Sequence, residues 1–269
     1  MNTLFRKTMS FFKLCKREYD WFCDSCICRR EMSVKNIEII ENKCILILAP
    51  HSDDEWVGCS QLLQSNNNII VLNMDMSGGD SMEFHQERFK EMKAVSEKIG
   101  YSLLTVREDK ISFLHDYLAN QAVDLIMVPC YFDWHSEHID VMHMLNDAGK
   151  AAGYKNRVAM YQVSLPIPPQ LITHGNTMTK EVVKEKWKEL KLFYPTQRHL
   201  PAKRFLLNER INGALTRTYA LEGYAIMEFE DWCNDLERYE LSEDKRNYLY
   251  DNLQRIRFIR QQLQKHLSN

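Results

Sequence analysis

Short apolar runs alternate along the chain with stretches of helical periodicity. Runs near 44–49, 68–74, 102–106, 124–128 and 158–163 are dominated by Ile, Leu, Val and Met, and have the length and branching of strands. Helical patterns fill the gaps, at about 55–63, at 82–99 before Gly100, from His138 toward Gly149 and at about 179–193. Fully apolar strands separated by amphipathic helices predict an α/β fold, a Rossmann-like doubly wound and mainly parallel sheet with helices on both faces. Residues 164–178, punctuated by Pro166, Pro168 and Pro169, read as loop. Helical appendages flank the core. Residues 1–30 interleave Leu4, Phe5, Met9, Phe11, Phe12 and Leu14 with Arg6, Lys7, Lys13, Lys16 and Arg17, and from Ser242 the pattern Leu249, Leu253, Ile256, Ile259, Leu263, Leu267 predicts one amphipathic helix. The expected organisation is an N-terminal segment (1–40), a main domain (41–235) and a C-terminal helix (236–269).

Two of the apolar runs end in chemistry. Ile45-Leu46-Ile47-Leu48-Ala49 breaks at Pro50 into His51-Ser52-Asp53-Asp54-Glu55, and Leu125-Ile126-Met127-Val128 breaks at Pro129 into a segment containing Asp133, His135, Glu137 and His138. Parallel sheets carry their ligand sites at the carboxyl ends of strands, where both clusters fall. Alone, an acidic group opening a helix can simply complement the helix dipole. With two such strand ends, His51, Asp54 and His138 form a two-histidine, one-carboxylate set, the composition of a catalytic zinc site with a position open to water. A His and an Asp three apart can reach one cation, while Asp53 between them points elsewhere. Asp53 and His135 remain as acid/base candidates.

The PHSDDE stretch followed by DxHxxH resembles the PIG-L/LmbE-like zinc-dependent N-deacetylases, over about residues 40–230. The resemblance implies metal ligation by His51, Asp54 and His138, a general base at Asp53 and an oxyanion-stabilising imidazole at His135. Where that family often has an Asp that orients the catalytic imidazole, this chain has Glu137. Arg88 and Glu91 resemble the family's RxxE helix, whose Arg can reach a substrate hydroxyl or phosphate; the alternative is a solvated ion pair. Lys188, Tyr194 and Gln197 resemble a further family stretch, as do Tyr219, Glu222 and Tyr224 its C-terminal region. The implied activity is removal of acetyl from the nitrogen of an N-acetylated, GlcNAc-type amino-sugar conjugate, with Zn2+ as cofactor and Fe2+ also suiting the donor set. An amidase on another sugar-linked amide and a non-catalytic sugar or sugar-nucleotide binding module are the alternatives.

Charge and cysteines narrow the setting. With 35 Lys and Arg against 37 Asp and Glu, the formal charge of -2 gives no global attraction to nucleic acid. Eight cysteines, three of them in or beside expected buried elements (Cys44, Cys59 and Cys130), suggest reduced thiols and a cytoplasmic chain. Cys23, Cys26 and Cys28 lack a partner pair for structural zinc. No secretory signal or run of transmembrane length is expected. The basic, aromatic residues 1–17 suit either packing or peripheral contact with an anionic membrane. The C-terminal helix suits packing or homo-oligomerisation. The Asp75–Asp80 turn, with two glycines at a strand end, is a candidate for substrate contact or an ordinary turn.

Overall fold

The computed structural model describes residues 3–76 and 81–268, with the backbone alone for residues 3–11. Five strands form the parallel part of one sheet: β1 (Cys44–Ala49), β2 (Asn68–Asn73), β3 (Ser102–Thr105), β4 (Leu125–Pro129) and β5 (Arg157–Tyr161). β6 (His174–Met178) and β7 (Ala220–Glu228) complete it, with β7 antiparallel to both β5 and β6, in the order β3-β2-β1-β4-β5-β7-β6. The helices are α1 (Thr3–Glu31), α2 (Asp54–Leu63), α3 (Met82–Ile99), α4 (Lys110–Asn120), α5 (Ser136–Ala152), α6 (Lys180–Phe193), α7 (Ala202–Asn212), α8 (Phe229–Tyr239), α9 (Glu243–Tyr250) and α10 (Ile256–Leu267).

Strand alternation splits the interior into two layers. Leu46 and Leu48 of β1 face the layer containing Leu114 and Leu118 of α4, Met142 and Leu145 of α5 and Trp232 of α8. Ile45, Ile47 and Ala49 face the other, with Trp56 and Leu62 of α2, Met92 and Val95 of α3 and Trp187 of α6. Both faces of β1 are therefore apolar, which explains its unbroken hydrophobic run. α2 lies unusually close to the sheet: a Cβ on Gly58 would sit 2.2 Å from Tyr161 Cδ2, and Tyr161 donates from its hydroxyl to Leu48 O at 2.7 Å.

The expected α/β architecture, with its parallel sheet covered on both faces, is present. Several local expectations change. The segment read as loop over 164–178 contains β6, whose residues His174-Gly-Asn-Thr-Met carry almost no apolar signal and are held in the sheet by pairing with β7. β7 itself is masked in sequence by a buried Glu222 and Gly223 in its middle. The single C-terminal helix is two, α9 and α10, separated by a turn over residues 251–255; Leu249, Ile259 and Leu263 from them join the same apolar layer as α5. The second half of α1 packs through Trp21 and Cys28 on Leu207, Ile211 and Ile256, while Phe12, Leu14, Tyr19 and Phe22 are exposed. The reading of residues 1–17 falls partly outside the described side chains, and residues 77–80 of the glycine-rich turn lie outside the described residues. Among the described residues, no helix is long and apolar enough to cross a membrane. All eight cysteines are free.

A buried charge cluster ties α2, α6, α7 and β7 together. Lys186 of α6 donates to Glu209 Oε1 at 2.5 Å, Glu222 Oε2 at 2.8 Å and Val57 O at 2.9 Å. α2 departs from helical geometry at Cys59, and the amides of Gln61 and Leu62 that follow the break donate to Glu222 Oε1 at 2.9 and 3.3 Å. Ser60 and Tyr224 hydroxyls and the Trp187 indole complete the satisfaction of the two carboxylates. Removing the cation from this set leaves two buried acids without their positive partner. Lys186→Met should therefore destabilise the protein by about 3–5 kcal/mol in urea denaturation. The exposed Lys188→Met should stay within about 0.5 kcal/mol of wild type.

Candidate active site

β1 and β4 are hydrogen-bonded neighbours, yet the chain leaves β1 for one face of the sheet and β4 for the other. Their carboxyl ends thus part and leave a crevice, the position where open parallel sheets hold ligands. Residues 50–54 enter it from β1 and residues 130–138 from β4. The result is a cavity of about 530 Å3, a size suited to a small ligand, lined by His51, Asp53, Asp54, Arg88, Trp134, His135, Glu137, His138 and Arg204 among others.

At its base three donor atoms converge. His51 Nδ1 lies 3.2 Å from Asp54 Oδ2 and 3.2 Å from His138 Nε2, and His138 Nε2 lies 3.4 Å from Asp54 Oδ2. Donors at the corners of a tetrahedron about 2.0–2.1 Å from zinc are about 3.3–3.4 Å apart, so the triangle has the edge lengths of a metal face. His51, His135 and His138 also lie within 4.8 Å of one another, a looser alternative set. His135 is half-buried, its ring meets the other two at 4.8 Å between centroids, and among the described residues its buried Nδ1 has no hydrogen bond.

Each histidine of the triangle has its own carboxylate. Asp133 Oδ2 lies 3.0 Å from His138 Nδ1 and turns Nε2 toward the crevice; the same oxygen accepts from Ser164 N, and Oδ1 from His135 N. Glu137 Oε2 lies 2.6 Å from His51 Nε2 and 3.8 Å from His135 Nδ1. The expected orienting acid beside the last histidine therefore contacts His51, and the residue that orients His138 is Asp133. Asp133 stands in the DxHxxH pattern, as an acid closing a buried strand, and that was its signal. Burial opposes protonation of His138, but Asp133 and Asp54 outweigh it and raise its pKa to about 10 without metal. Burial likewise opposes ionisation of Asp54, and the imidazoles of His138 and His51 hold it well below the usual carboxylate range.

Asp53 is not one of the three corners, although it lines the same cavity. Its backbone has φ 154° and ψ -21°, a conformation that side-chain-bearing residues rarely adopt. Its Oδ1 accepts from Arg88 Nη2 at 2.8 Å, and burial together with Asp54 raises it to about 7 against the pull of Arg88. The solvated pair of Arg88 with Glu91 is not what forms: Glu91 accepts from Thr196 N and Oγ1 at 3.0 and 2.6 Å, holding Gln197, whose amide oxygen, with the amide turned to suit, accepts from Arg88 at 3.0 and 3.1 Å. Burial, aided by the neighbouring His138 and His51, lowers the pKa of His135.

Other residues of similar chemistry lie elsewhere. Glu55 is fully buried behind the site against the hydroxyls of Tyr194 and Tyr101, and burial pushes it up to about 8, so it is a protonated core residue at neutral pH. Lys188 is a surface residue near Glu185 at 3.0 Å; the buried lysine of that helix is Lys186. His174 lies on β6 beside Glu38, and His143 is on the surface beside Glu240. Asp75 is engaged by His85 and Arg107.

The chain matches no protein-family model and no curated protein sequence significantly. Solved structures do match. The conserved protein TT1542 from Thermus thermophilus superimposes with a TM-score of 0.53 at 18% identity, over 68% of this chain and 94% of that one. The A40926 pseudoaglycone deacetylase Dbv21 gives 0.51 at 13% identity, over 70% and 99%. A deacetylase from the biosynthesis pathway of teicoplanin gives 0.50 at 12% identity, over 68% and 98%. At these identities the likeness is one of fold, and the mainly parallel, two-faced α/β sheet is the fold that this chain shares with them.

Proposed function

We propose that the protein is a metal-dependent hydrolase that removes the acetyl group from the nitrogen of an N-acetylated amino-sugar conjugate. The observation that carries this reading is the triangle of His51 Nδ1, Asp54 Oδ2 and His138 Nε2, with edges of 3.2–3.4 Å, beside the separately held carboxylate of Asp53. His51, Asp54 and His138 would hold Zn2+, and Fe2+ also suits two imidazoles and a carboxylate. When bound, such an ion lowers the pKa of water to about 7 and polarises an amide carbonyl.

Asp53 is the base in this scheme. Arg88 fixes its carboxylate at the cavity wall, and a pKa near 7 lets it take a proton from the attacking water and return it to the departing amine. His135 lines the same cavity, and its imidazole would serve as the donor toward an amide oxygen. Asp133 and Glu137 keep the two metal-facing histidines in one tautomer each. A pure binding module requires neither a base at Asp53 nor a donor at His135. Two of the solved structures of like fold are described as deacetylases, which agrees with the reading.

The defining test is acetate release from a panel of N-acetylglucosamine conjugates by zinc-loaded protein, compared with a metal-stripped control; no acetate above that control rejects the reading. His138→Ala should lose both zinc, measured by elemental analysis, and activity. His135→Ala should keep its zinc and turn over about 10²–10³ times more slowly. Asp53→Asn should also keep zinc but lose more rate, because both proton transfers fail. Zinc retained by His138→Ala but lost from His135→Ala would reverse the assignment.

Removing the orienting acid in Asp133→Ala should weaken metal affinity about 10–100-fold in a competitive chelator titration. The pH profile has a defined sign. Asp53 must be ionised to act, so kcat/KM should rise with pH through its pKa, which a bound cation draws below the metal-free value of about 7. Arg88→Gln removes a charge that favours the ionised form, so the acid limb should move to higher pH; an unmoved limb would show that Asp53 does not set it.

A further inference from the structure

The active-site cavity continues past the catalytic groups. Its wall formed by His199, Leu200, Pro201, Arg204 and Leu253 is also the wall of a second cavity of about 530 Å3 between α1, α6 and α7. That second cavity is basic: Arg17, Lys191, Lys203 and Arg204 line it against a single acid, Glu18, which is already engaged by Lys203 at 2.7 Å.

Arg204 stands at the junction of the two. It is 8% exposed, packs its guanidinium over the Phe205 ring at 5.3 Å and, among the described residues, its side chain makes no hydrogen bond or ion pair. Burial lowers its pKa to about 10; Asp133 pulls the other way, and the charge of Arg17 adds to the lowering. Arg17, whose guanidinium lies over Trp21 at 5.0 Å, likewise has no carboxylate at ion-pair distance among the described residues. Arg204 thus feels Asp133 without reaching it as an ion-pair partner, its Nε is buried without a hydrogen bond among the described residues, and a buried guanidinium nitrogen left unpaired is costly unless an anion satisfies it. Arg88 does not fill this role, because it holds Asp53 and Gln197.

We infer that the substrate carries its amino sugar on a phosphate or diphosphate, and that Arg204 and Arg17 bind this group at the junction while the acetamide reaches the base of the site. The identity of the sugar end rests on the proposed deacetylase reading; the anion site does not. α1 is then a part of substrate recognition, and its Arg17 serves a role that a membrane-facing segment would not require. The remainder of the substrate, nucleoside or other, extends into the second cavity.

Zinc-loaded wild type is assayed for acetate from N-acetylglucosamine 1-phosphate, UDP-N-acetylglucosamine and methyl N-acetylglucosaminide. UDP and uridine binding are measured by calorimetry on wild type, Arg17→Gln, Arg204→Gln and Arg204→Lys. The phosphorylated sugars should exceed the methyl glycoside in kcat/KM by about 10–100-fold, mostly through KM, with UDP binding far more tightly than uridine. Both Gln variants should lower the preference and weaken UDP, and Lys should restore part of it. Arg17 is exposed, so its variant reports even if the Arg204 variants fold poorly. A further gain for the nucleotide sugar over the 1-phosphate assigns the nucleoside to the second cavity, and equal gains assign the phosphate alone; both support the inference. Equal kcat/KM for the methyl glycoside and both phosphates overturns it and leaves the deacetylase reading standing. Binding of UDP that ignores all three variants also overturns it, since the metal would then be the anchor. No acetate from any sugar, together with UDP binding that weakens in the variants, retains the anion site and rejects the deacetylase reading.

Discussion

Everything at the site depends on the place where β1 and β4 part. The two strands share hydrogen bonds from Ile45 to Ile47, but α2 leaves toward one face of the sheet and α5 toward the other. Backbone that must diverge cannot pair, so the strand ends open into a crevice whose walls are the first residues of two loops. His51 and Asp54 come from one wall and His138 from the other, which brings residues 87 positions apart in sequence, His51 and His138, to 3.2 Å. A rigid sheet behind them sets that distance. The loops alone would not.

The crevice concentrates ionisable groups under cover, and each is given a partner that decides its state. Asp133 and Glu137 assign the tautomers of His138 and His51, Arg88 restrains Asp53, and Glu91 restrains the segment that supports Arg88. Glu55, next in sequence to the site acids, is directed instead into the core, where burial keeps it protonated against two tyrosines. Three consecutive acids thus fall into three environments: one beside the imidazoles, one beside a guanidinium, one in an apolar layer. Environment rather than residue type separates their roles.

The same logic holds at a distance from the crevice. Lys186, Glu209 and Glu222 form a buried cluster whose hydrogen-bonding groups are matched, and Glu222 accepts the amides that a break in α2 at Cys59 would otherwise strand. The break lets α2 start at the crevice and still lie flat on the sheet, with Gly58 against Tyr161. Site geometry and core packing are therefore joined through one helix, and the carboxylate on β7 supports the helix that presents Asp54.

The sequence alone determined what local physics writes into it. Apolar runs bounded by proline marked β1 and β4, helical periodicity placed α2, α3, α5 and α6 to within a few residues, and the acids and imidazoles at two strand ends marked the site. β6 and β7 were illegible, because a strand held by neighbours can be polar and one that buries a glutamate loses its alternation. Nor could the sequence distribute partners. Which acid orients which histidine, whether Arg88 meets Glu91 or Asp53, and whether Glu55 lies at the site or in the core depend on the path of the chain after the strands separate, and on how deeply each group is then buried. Those are properties of packing between segments far apart in sequence, so only the tertiary structure decided them.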